Sequence, residues 1–219
     1  MRLPKRLKKA ASLIGNINSG ADIACDHAYL SQYLLKTNQA KYMIATDLAE
    51  APLLIARKNL ANYRDRSDIR LGYGLDPIQD NEVDTIFVCG LGAKTIVQIL
   101  AEGMSRFANT TFVLQVNGDP SPLRQFLLDQ PIVKEEMVYE RNRYYQIIVV
   151  KEGYQLGKEK WSEATLRIGT LYETILGREY LNKRLADINK ALNYIDTEDE
   201  QSEKLRKEQQ HLNCLKKHL

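Results

Sequence analysis

The sequence predicts an α/β domain followed by an all-helical region. Over the first 150 residues, short runs rich in β-branched and aromatic residues alternate with longer segments of helical periodicity. Strands that alternate with helices form parallel sheets with right-handed crossovers. The last two β-rich runs are separated only by residues 140–143, so they predict an antiparallel hairpin. These observations together predict a Rossmann-like sheet that is parallel except for one reversed strand at its edge.

Seven segments have the composition and the length of β-strands. They are residues 21–25, 42–46, 68–71, 83–89, 111–116, 133–139 and 144–150. Four segments between or after these have helical periodicity, and they are residues 28–37, 52–63, 93–102 and 121–129. In the second of these, Leu53, Ala56, Leu60 and Tyr63 are spaced 3, 4 and 3 residues apart. That spacing places them on one face of a helix.

The C-terminal part of the sequence has almost no β signal and two leucine-rich seams. A linker at residues 153–157 divides the chain into a domain at 1–155 and a helical domain at 156–219. The first seam is spaced as a heptad and the second follows it, with the members Leu181, Leu185, Ile188, Leu192 and Ile195, then Leu205, Leu212, Leu215 and Leu219. Between the seams, Thr197 and Glu200 have the spacing of a capping box. The pattern predicts a helical (coiled-coil) hairpin packed on itself or on the main domain. A dimerising coiled coil is the alternative, and two heptads per helix favour the intramolecular hairpin and a monomer.

Composition excludes several classes of protein. The chain has 219 residues, of which 44% are hydrophobic, as in ordinary globular proteins. The 31 Lys and Arg residues against 28 Asp and Glu leave a net charge of +3, which is too small to indicate a nucleic-acid partner. No apolar run approaches the ~20 residues of a membrane span. Cys25, Cys89 and Cys214 have no zinc-site spacing, so we expect a soluble, cytoplasmic protein without a metal.

The cations are nevertheless concentrated at the two ends of the chain. Five of the first nine residues are cationic and a second group closes the chain, with the members Arg2, Lys5, Arg6, Lys8 and Lys9, then Lys204, Arg206, Lys207, Lys216 and Lys217. Leu3, Leu7 and Ala10 give the N-terminal group an amphipathic stripe. Such a stripe is typical of a solvated helix and is equally compatible with a phosphate-binding one.

Acidic residues follow the first two predicted strands, at the edge of the sheet where open α/β folds bind ligands. Asp47 ends the second strand, where a carboxylate accepts hydrogen bonds from both hydroxyls of a ribose. The first turn lacks the glycines that receive a pyrophosphate, and it carries Asp22 and Asp26 instead. These carboxylates repel phosphates and attract a ligand with ammonium and sulfonium groups. The turn therefore indicates S-adenosyl-L-methionine and methyl transfer.

Each of these residues also has a purely structural interpretation. Asp47 could cap the next helix, and His27 is more typical of a hydrogen-bonded turn residue than of a base. Gly90 and Gly92 permit a tight turn whether or not a cofactor approaches them. Cys25 and Cys89 are interpreted as small core residues. Asp26 is harder to explain structurally, because a carboxylate at the mouth of the sheet carries a desolvation cost.

Several motifs resemble a known family. Residues 22–30, D-I-A-C-D-H-A-Y-L, resemble the D-I-G-x-D-H-A-Y-L signature of the bacterial tRNA N1-adenine methyltransferases that modify adenine 22. Further matches follow in the family's order, at Lys5-Arg6-Leu7, Pro52-Leu53 with Ala56 and Asn59, Gly72-Tyr73-Gly74-Leu75, Gly90-Leu91-Gly92-Ala93, Leu114-Gln115-Val116-Asn117 and Tyr145-Gln146. The resemblance covers residues 3–150 and implies a class I methyltransferase sheet. Four positions depart from the family pattern, and they are Ala24, Tyr73, Ala93 and Val116.

The resemblance implies a set of site residues. The cofactor-binding residues would be Asp22, Ala24, Cys25, His27, Asp47, Leu48, Tyr73, Gly74, Leu75, Gly90, Leu91 and Gly92. Asp26 and Asn117 would be catalytic, with Gln115 beside them. The tRNA would contact Lys5, Arg6, Lys8, Lys9, Tyr29, Arg141, Arg143 and Tyr145.

The expected chemistry follows from charge. Adenine N1 carries a free lone pair at neutral pH and needs no base, and methylation moves a positive charge onto the ring. We expect Asp26 to supply negative potential there or to accept a proton from the exocyclic amine. Contacts with the RNA backbone would offset extrusion of the stacked base. A non-catalytic RNA-binding module on the same scaffold is the alternative. A methyltransferase for another RNA or for a small molecule is a third interpretation.

Overall fold

The computed structural model describes residues 3–151, 163–195 and 199–217. Its centre is one seven-stranded sheet with the order β3-β2-β1-β4-β5-β7-β6. The strands are β1 (Ile17–Ile23), β2 (Ala40–Asp47), β3 (Ser67–Leu71), β4 (Thr85–Gly92), β5 (Thr111–Asn117), β6 (Ile132–Glu140) and β7 (Arg143–Lys151). The strands from β3 to β5 pair in parallel. The predicted Rossmann-like sheet and its terminal antiparallel hairpin are confirmed.

The position predicted for the reversed strand is wrong. Strand β7 is antiparallel to both of its neighbours and lies between β5 and β6, so β6 forms the edge. The residues explain this order. Ile147, Ile148 and Val149 in β7 are all buried, as in a strand that is covered on both faces. Strand β6 carries Lys134 and Glu136 midway, and charged residues are typical of an edge strand.

Helices cover both faces of the sheet. They are α1 (Lys5–Ser12), α2 (Tyr29–Lys36), α3 (Glu50–Asn59), α4 (Ala93–Gly103), α5 (Ser121–Phe126), α6 (Glu163–Ile168), α7 (Ile175–Leu192) and α8 (Glu200–Lys217). Helices α1, α2 and α3 pack on one face, and α4 and α5 pack on the other. The third helix ends at Asn59, earlier than predicted, and the chain continues as a 3-10 segment, Ala61–Arg66. The motifs that follow β1, β2, β4 and β5 lie at the carboxyl ends of the parallel strands, whereas Lys5-Arg6-Leu7 lies on α1 and Tyr145-Gln146 on the antiparallel strand β7.

The helical region has an apolar core of its own that extends onto the sheet. Leu181, Leu185 and Ile188 of the predicted seam are buried together with Leu212 of α8 and Met137 of β6. The seam therefore packs within the chain, as predicted. Helix α8 is capped by Asp199, whose Oδ1 accepts a hydrogen bond from Gln201 N at 2.8 Å. The predicted cap Thr197, Leu219 and the linker lie outside the described residues, and the division into two domains stays a prediction.

A buried ion pair joins the helical region to the sheet. Arg124 of α5 and Glu135 of β6 have side chains that are 0% and 3% exposed, and Arg124 Nη2 lies 2.6 Å from Glu135 Oε1. Gln146 Oε1 accepts a second bond from Arg124 Nη2 at 2.8 Å. From the helical region, Leu166 O accepts from Arg124 Nη1 at 3.2 Å, and Thr170 N donates to Glu135 Oε2 at 2.8 Å.

Candidate active site

The turn after β1 has an unusual backbone. Ala24, Asp26 and Ala28 have φ angles of 53°, 53° and 55°, in the left-handed region that residues with a Cβ disfavour. The amide of Cys25 donates to Thr46 O at 2.8 Å, which holds the turn against β2. Strain of this kind concentrates at functional sites. At Ala24 the family pattern has glycine, the residue that adopts this conformation most easily.

Three carboxylates converge on this turn. Asp22 is buried and accepts hydrogen bonds from Ser31 Oγ at 2.8 Å and Ser31 N at 3.3 Å. Burial, with a smaller contribution from the charge of Asp47, outweighs the hydrogen bonds from Ser31 and raises the pKa of Asp22 to about 7. Burial also raises the pKa of the Cys25 thiol, with added contributions from Asp22, Asp47 and Asp26. The Cys25 thiol therefore stays protonated, and Asp26 and Asp47 give the turn a negative potential to which Asp22 adds as it ionises around pH 7.

Asp47 accepts hydrogen bonds from two backbone amides near the end of β2, and its binding of a ribose stays a prediction. Its Oδ1 accepts from the amide of Ala49, the residue that caps α3, at 3.1 Å. Its Oδ2 accepts from the amide of Asp26, also at 3.1 Å. A carboxylate has about four acceptor positions, so both oxygens can still accept bonds from a ribose. Leu48 beside it is 67% exposed and offers an apolar surface at the same rim.

Asp26 lies in the turn but is not buried. Its side chain is 71% exposed, so the desolvation cost argued from the sequence is wrong, because water reaches most of the carboxylate. His27 Nδ1 lies 3.3 Å from Asp26 Oδ1. The His27 ring packs edge-on against Tyr29, with 5.6 Å between the ring centroids. The exposed Asp26 thus forms one group at the rim with the partly buried His27 and Tyr29.

The opposite wall of the site is formed by the ends of β4 and β5. Gly90 has a φ of 86°, and the pairing of β4 with β5 shifts register there. Asn117 Nδ2 donates to Gly90 O at 2.6 Å, and Gln115 Nε2 donates to Asn117 Oδ1 at 3.2 Å. A Cβ placed on Gly90, Gly92 or Gly118 would meet no heavy atom within 4 Å. The wall therefore holds Asn117 in a fixed orientation beside open space.

The four departures from the family pattern affect the site unequally. The side chains of Ala93 and Val116 are buried in the core beneath the sheet's rim, so neither projects into the open space. The ring of Tyr73 packs against the same core, and its hydroxyl is buried without a hydrogen-bond partner among the described residues. Leu75 is also buried, and Leu91 packs on this core. Binding through these side chains stays a prediction, and Ala24 alone places an extra methyl in the turn.

The predicted RNA-binding residues of α1 lie against the β6–β7 hairpin. Glu140 accepts from the amides of Lys5 and Arg6 at 2.8 Å and 3.5 Å. The Arg6 guanidinium lies over the Tyr145 ring, 5.2 Å from its centroid. Lys9 Nζ lies 3.7 Å from a carboxylate oxygen of Glu136. Arg6 and Lys9 are therefore partly neutralised, whereas Lys5 and Lys8 are exposed.

Arg141 and Asn142 form the tip of that hairpin. Their φ angles are 51° and 59°, and two positive values in a two-residue loop are characteristic of a type I′ turn. Arg141 and the following Arg143 are both exposed. The hairpin thus presents two cations beside Tyr145, as predicted for contact with a phosphate backbone.

A cleft of about 450 Å³ joins the hairpin, the loop after β5 and helix α7. We call it the hairpin cleft, and its lining includes Arg6, Asn117, Asp119, Arg143, Tyr145, Arg167, Lys183 and Arg184. Sequence analysis missed the last three, because only tertiary contacts bring them to the site. Arg167 Nη2 lies 3.1 Å from Asp119 Oδ2, and Arg167 Nε lies 2.6 Å from Glu208 Oε1. The cleft is cationic and adjoins Asn117.

Within residues 3–151, 163–195 and 199–217, no helix is long and apolar enough to cross a membrane. No group of three or more His, Cys, Asp or Glu side chains in the same ranges could hold a metal ion.

The chain is similar to proteins of one family. A family model described as tRNA (adenine(22)-N(1))-methyltransferase matches residues 20–217. A Bacillus subtilis (strain 168) protein of that name is 29% identical over 158 residues, which cover 70% of this chain and 66% of that protein. The structure of M. capricolum TrmK in complex with S-adenosyl-homocysteine is 28% identical, with a TM-score of 0.84 and coverage of 100% and 98%. A Streptococcus pneumoniae protein solved with S-adenosyl-L-methionine has the same identity and TM-score, with coverage of 98% and 99%. The chain belongs to the tRNA (adenine(22)-N(1))-methyltransferase family.

Proposed function

We propose that this protein transfers the methyl group of S-adenosyl-L-methionine to N1 of adenine 22 in tRNA. The observation that supports this best is the convergence of Asp22, Asp26 and Asp47 around one turn, opposite Asn117 and the open space at Gly90. When bound, the cofactor supplies an electrophilic methyl group on a positively charged sulfur. Negative potential favours such a cation over a diphosphate, which the same carboxylates repel.

The residues of the turn and of β2 would hold the cofactor. Asp47 has free acceptor positions for the ribose hydroxyls, and Leu48 covers the neighbouring apolar surface. Asp22 would face the ammonium group. The positive φ of Gly90 and the space around Gly92 let the backbone approach the ligand closely. The remaining predicted cofactor-binding residues are Cys25, His27 and Gly74.

The target base would be positioned by Asp26 and Asn117. Because N1 of adenine is unprotonated at neutral pH, the chain needs no general base. The exposed carboxylate of Asp26 stabilises the positive charge that arrives on the ring. Asn117 is oriented by its bonds to Gly90 and Gln115, and it retains one N–H and one lone pair for the adenine edge. In-line positioning supplies the rest of the acceleration.

The tRNA would bind across the hairpin cleft of a monomeric protein in the cytoplasm. A stacked base has to be extruded before it reaches the site, and contacts to the phosphates offset that cost. Arg143 is an exposed cation of this cleft, and Lys5 and Lys8 are exposed on α1, which is bonded to the hairpin through Glu140. The seam of α7 is buried within the chain, which supports the monomer.

Methylation of undermodified total tRNA with labelled cofactor, followed by nucleoside analysis, tests the proposal. We expect label in 1-methyladenosine, and in Asp26→Ala we expect turnover to fall at least 100-fold while calorimetry still gives a measurable heat of cofactor binding. Asp129→Asn, an exposed carboxylate on the connection after α5, is the matched control. No heat of cofactor binding by the unchanged protein would favour the non-catalytic RNA-binding alternative.

A further inference from the structure

A second groove begins at the active-site rim and runs down the outside of the α/β domain. It has a volume of about 680 Å³ and lies between α1, α2 and the 3-10 segment Ala61–Arg66. We call it the tyrosine groove, and the residues that matter in it are Lys8, Tyr29, Tyr33, Lys36 and Tyr63. None of its lining residues is a carboxylate, in contrast to the acidic turn beside it.

The tyrosine groove is continuous with the candidate active site. Tyr29 is the first residue of α2 and packs against His27 at the rim. Tyr33 and Lys36 follow it on the same face of the helix, at spacings of four and three residues. From Tyr29 to Lys36 the helix rises about 10 Å. A chain whose target base is held at Asp26 could therefore extend along this face.

The charge of the groove favours an anionic ligand. Lys8 and Lys36 are exposed, and among the described residues neither has an ion-pair partner. Arg6 and Lys9 on the same N-terminal helix are instead paired with Glu140 and Glu136. The cations that face the groove are thus the ones left available for phosphates.

The tyrosines of the groove are arranged as partly exposed platforms. Tyr33 and Tyr63 pack against the apolar cluster below and remain half-buried. The guanidinium of Arg66 lies 5.5 Å from the centroid of the Tyr63 ring, which steadies the ring. Aromatic faces beside lysines are typical of proteins that bind single-stranded nucleic acid, because unpaired bases stack on the rings. A duplex keeps its bases stacked on each other and could use only the charges.

We propose that the tyrosine groove binds the unpaired nucleotides adjoining the extruded target base, with bases on Tyr33 and Tyr63 and phosphates on Lys8 and Lys36. The inference rests on the proposed function for its ligand, since the methylated strand of the tRNA enters at Tyr29. The methyl transfer itself does not use this surface. Stacking of the neighbouring bases on the tyrosines would offset part of the free energy needed to extrude the target base.

The test compares groove variants with matched controls in RNA binding. Tyr33→Leu/Tyr63→Leu keeps apolar packing and removes the stacking faces, with Tyr194→Leu, 82% exposed on the helical region, as its control. Lys36→Gln removes one cation, with Lys58→Gln on α3 as its control. Fluorescence anisotropy measures affinity for a single-stranded oligoribonucleotide, for a duplex of equal length and for unmodified tRNA, and calorimetry measures cofactor affinity.

We expect the double tyrosine variant to bind the single strand and the tRNA roughly tenfold more weakly, with duplex and cofactor affinities within about twofold of the unchanged protein. Lys36→Gln, a surface change that leaves folding intact, should reduce the slope of log affinity against log salt by about 0.7 for the single strand. Equal losses for single strand and duplex, or an unchanged salt slope, would overturn the proposal. Because these are binding measurements, a protein that binds in this way and yet fails to methylate tRNA would refute the proposed function alone.

Discussion

The buried carboxyl group of Asp22 predicts a specific dependence of stability on pH. Its described hydrogen bonds come only from Ser31, and burial raises its pKa from 3.8 to about 7. Between those two values the folded protein holds a proton that the unfolded chain has lost. Folding is therefore favoured by acid over this interval, and the stability that Asp22 contributes is complete below about pH 4 and is lost as the pH rises to about 7.

The size of the effect follows from the shift in pKa. A difference of about three pKa units, at 1.36 kcal/mol per unit, corresponds to about 4 kcal/mol over the whole interval. Asp22→Asn removes the titration and keeps an oxygen that accepts the bonds from Ser31. The free energy of unfolding of this variant, minus that of the unchanged protein, should therefore grow by about 1.3 kcal/mol between pH 5 and 6 and by about 1 kcal/mol between pH 6 and 7, where the folded protein begins to lose the proton. Above about pH 8 the difference should be constant.

Urea titrations of both proteins at pH 5, 6, 7 and 8 measure this difference directly. Taking the difference between the two proteins cancels the other titrating groups, among them Glu82 and Glu140, whose pKa values are lowered in the folded state by hydrogen bonds and nearby arginines. Asp129→Asn, which changes an exposed carboxylate, should give a difference that is small at every pH. A difference for Asp22→Asn that is equally flat would refute the reasoning.

The same titration should govern binding of the cofactor. If Asp22 faces the ammonium group of S-adenosyl-L-methionine, only its ionised form attracts that charge, so cofactor affinity should rise as the pH increases through 7. In Asp22→Asn the affinity should be lower and should change less with pH, as measured by calorimetry at pH 6 and pH 8. An equal pH dependence in both proteins would show that another group controls it.

Two further predictions concern stability. Arg124→Ala should lower the free energy of unfolding by about 3–5 kcal/mol, because it leaves the buried carboxylate of Glu135 without its cation; a loss in urea no larger than that of Arg57→Ala, which breaks an exposed pair with Glu50, would contradict this. Ala24→Gly should raise the free energy of unfolding by up to about 1 kcal/mol. A left-handed residue with a Cβ is strained by about 1–2 kcal/mol. Glycine removes this strain, but part of the gain is lost because glycine raises the conformational entropy of the unfolded chain. Thermal unfolding tests it, and a lower midpoint in the variant would show that the methyl group stabilises the turn.

The sequence predicted the fold to the level of strands, and the order of the last two strands was the main error. The evidence for the correct order was present in the sequence, since residues 147–150 are all apolar while residues 134–136 are all charged. A continuous apolar run is typical of a strand covered on both faces. The prediction used only the order of the strands along the chain, and it therefore placed the reversed strand at the edge of the sheet.

The candidate site was predictable where its residues follow the strands directly. Parallel strands end at one rim, so Asp22, Asp47 and Asn117 had to meet there. The exposure of Asp26 was not predictable, because it depends on three left-handed residues in one turn. Arg167 was missed because its contacts with Asp119 and Glu208 join segments that are more than 40 residues apart in the chain.

The pair formed by Arg124 and Glu135 limits how this protein could be recombined with its relatives. Arg124 belongs to α5 and Glu135 to β6 of the α/β domain, yet their hydrogen bonds are completed by Leu166 and Thr170 of the helical region. A chimaera that joined this sheet to foreign helices would inherit two buried charges whose remaining hydrogen-bond partners no longer matched. The crossover point that preserves them lies after Thr170, so the inherited unit is larger than the α/β domain.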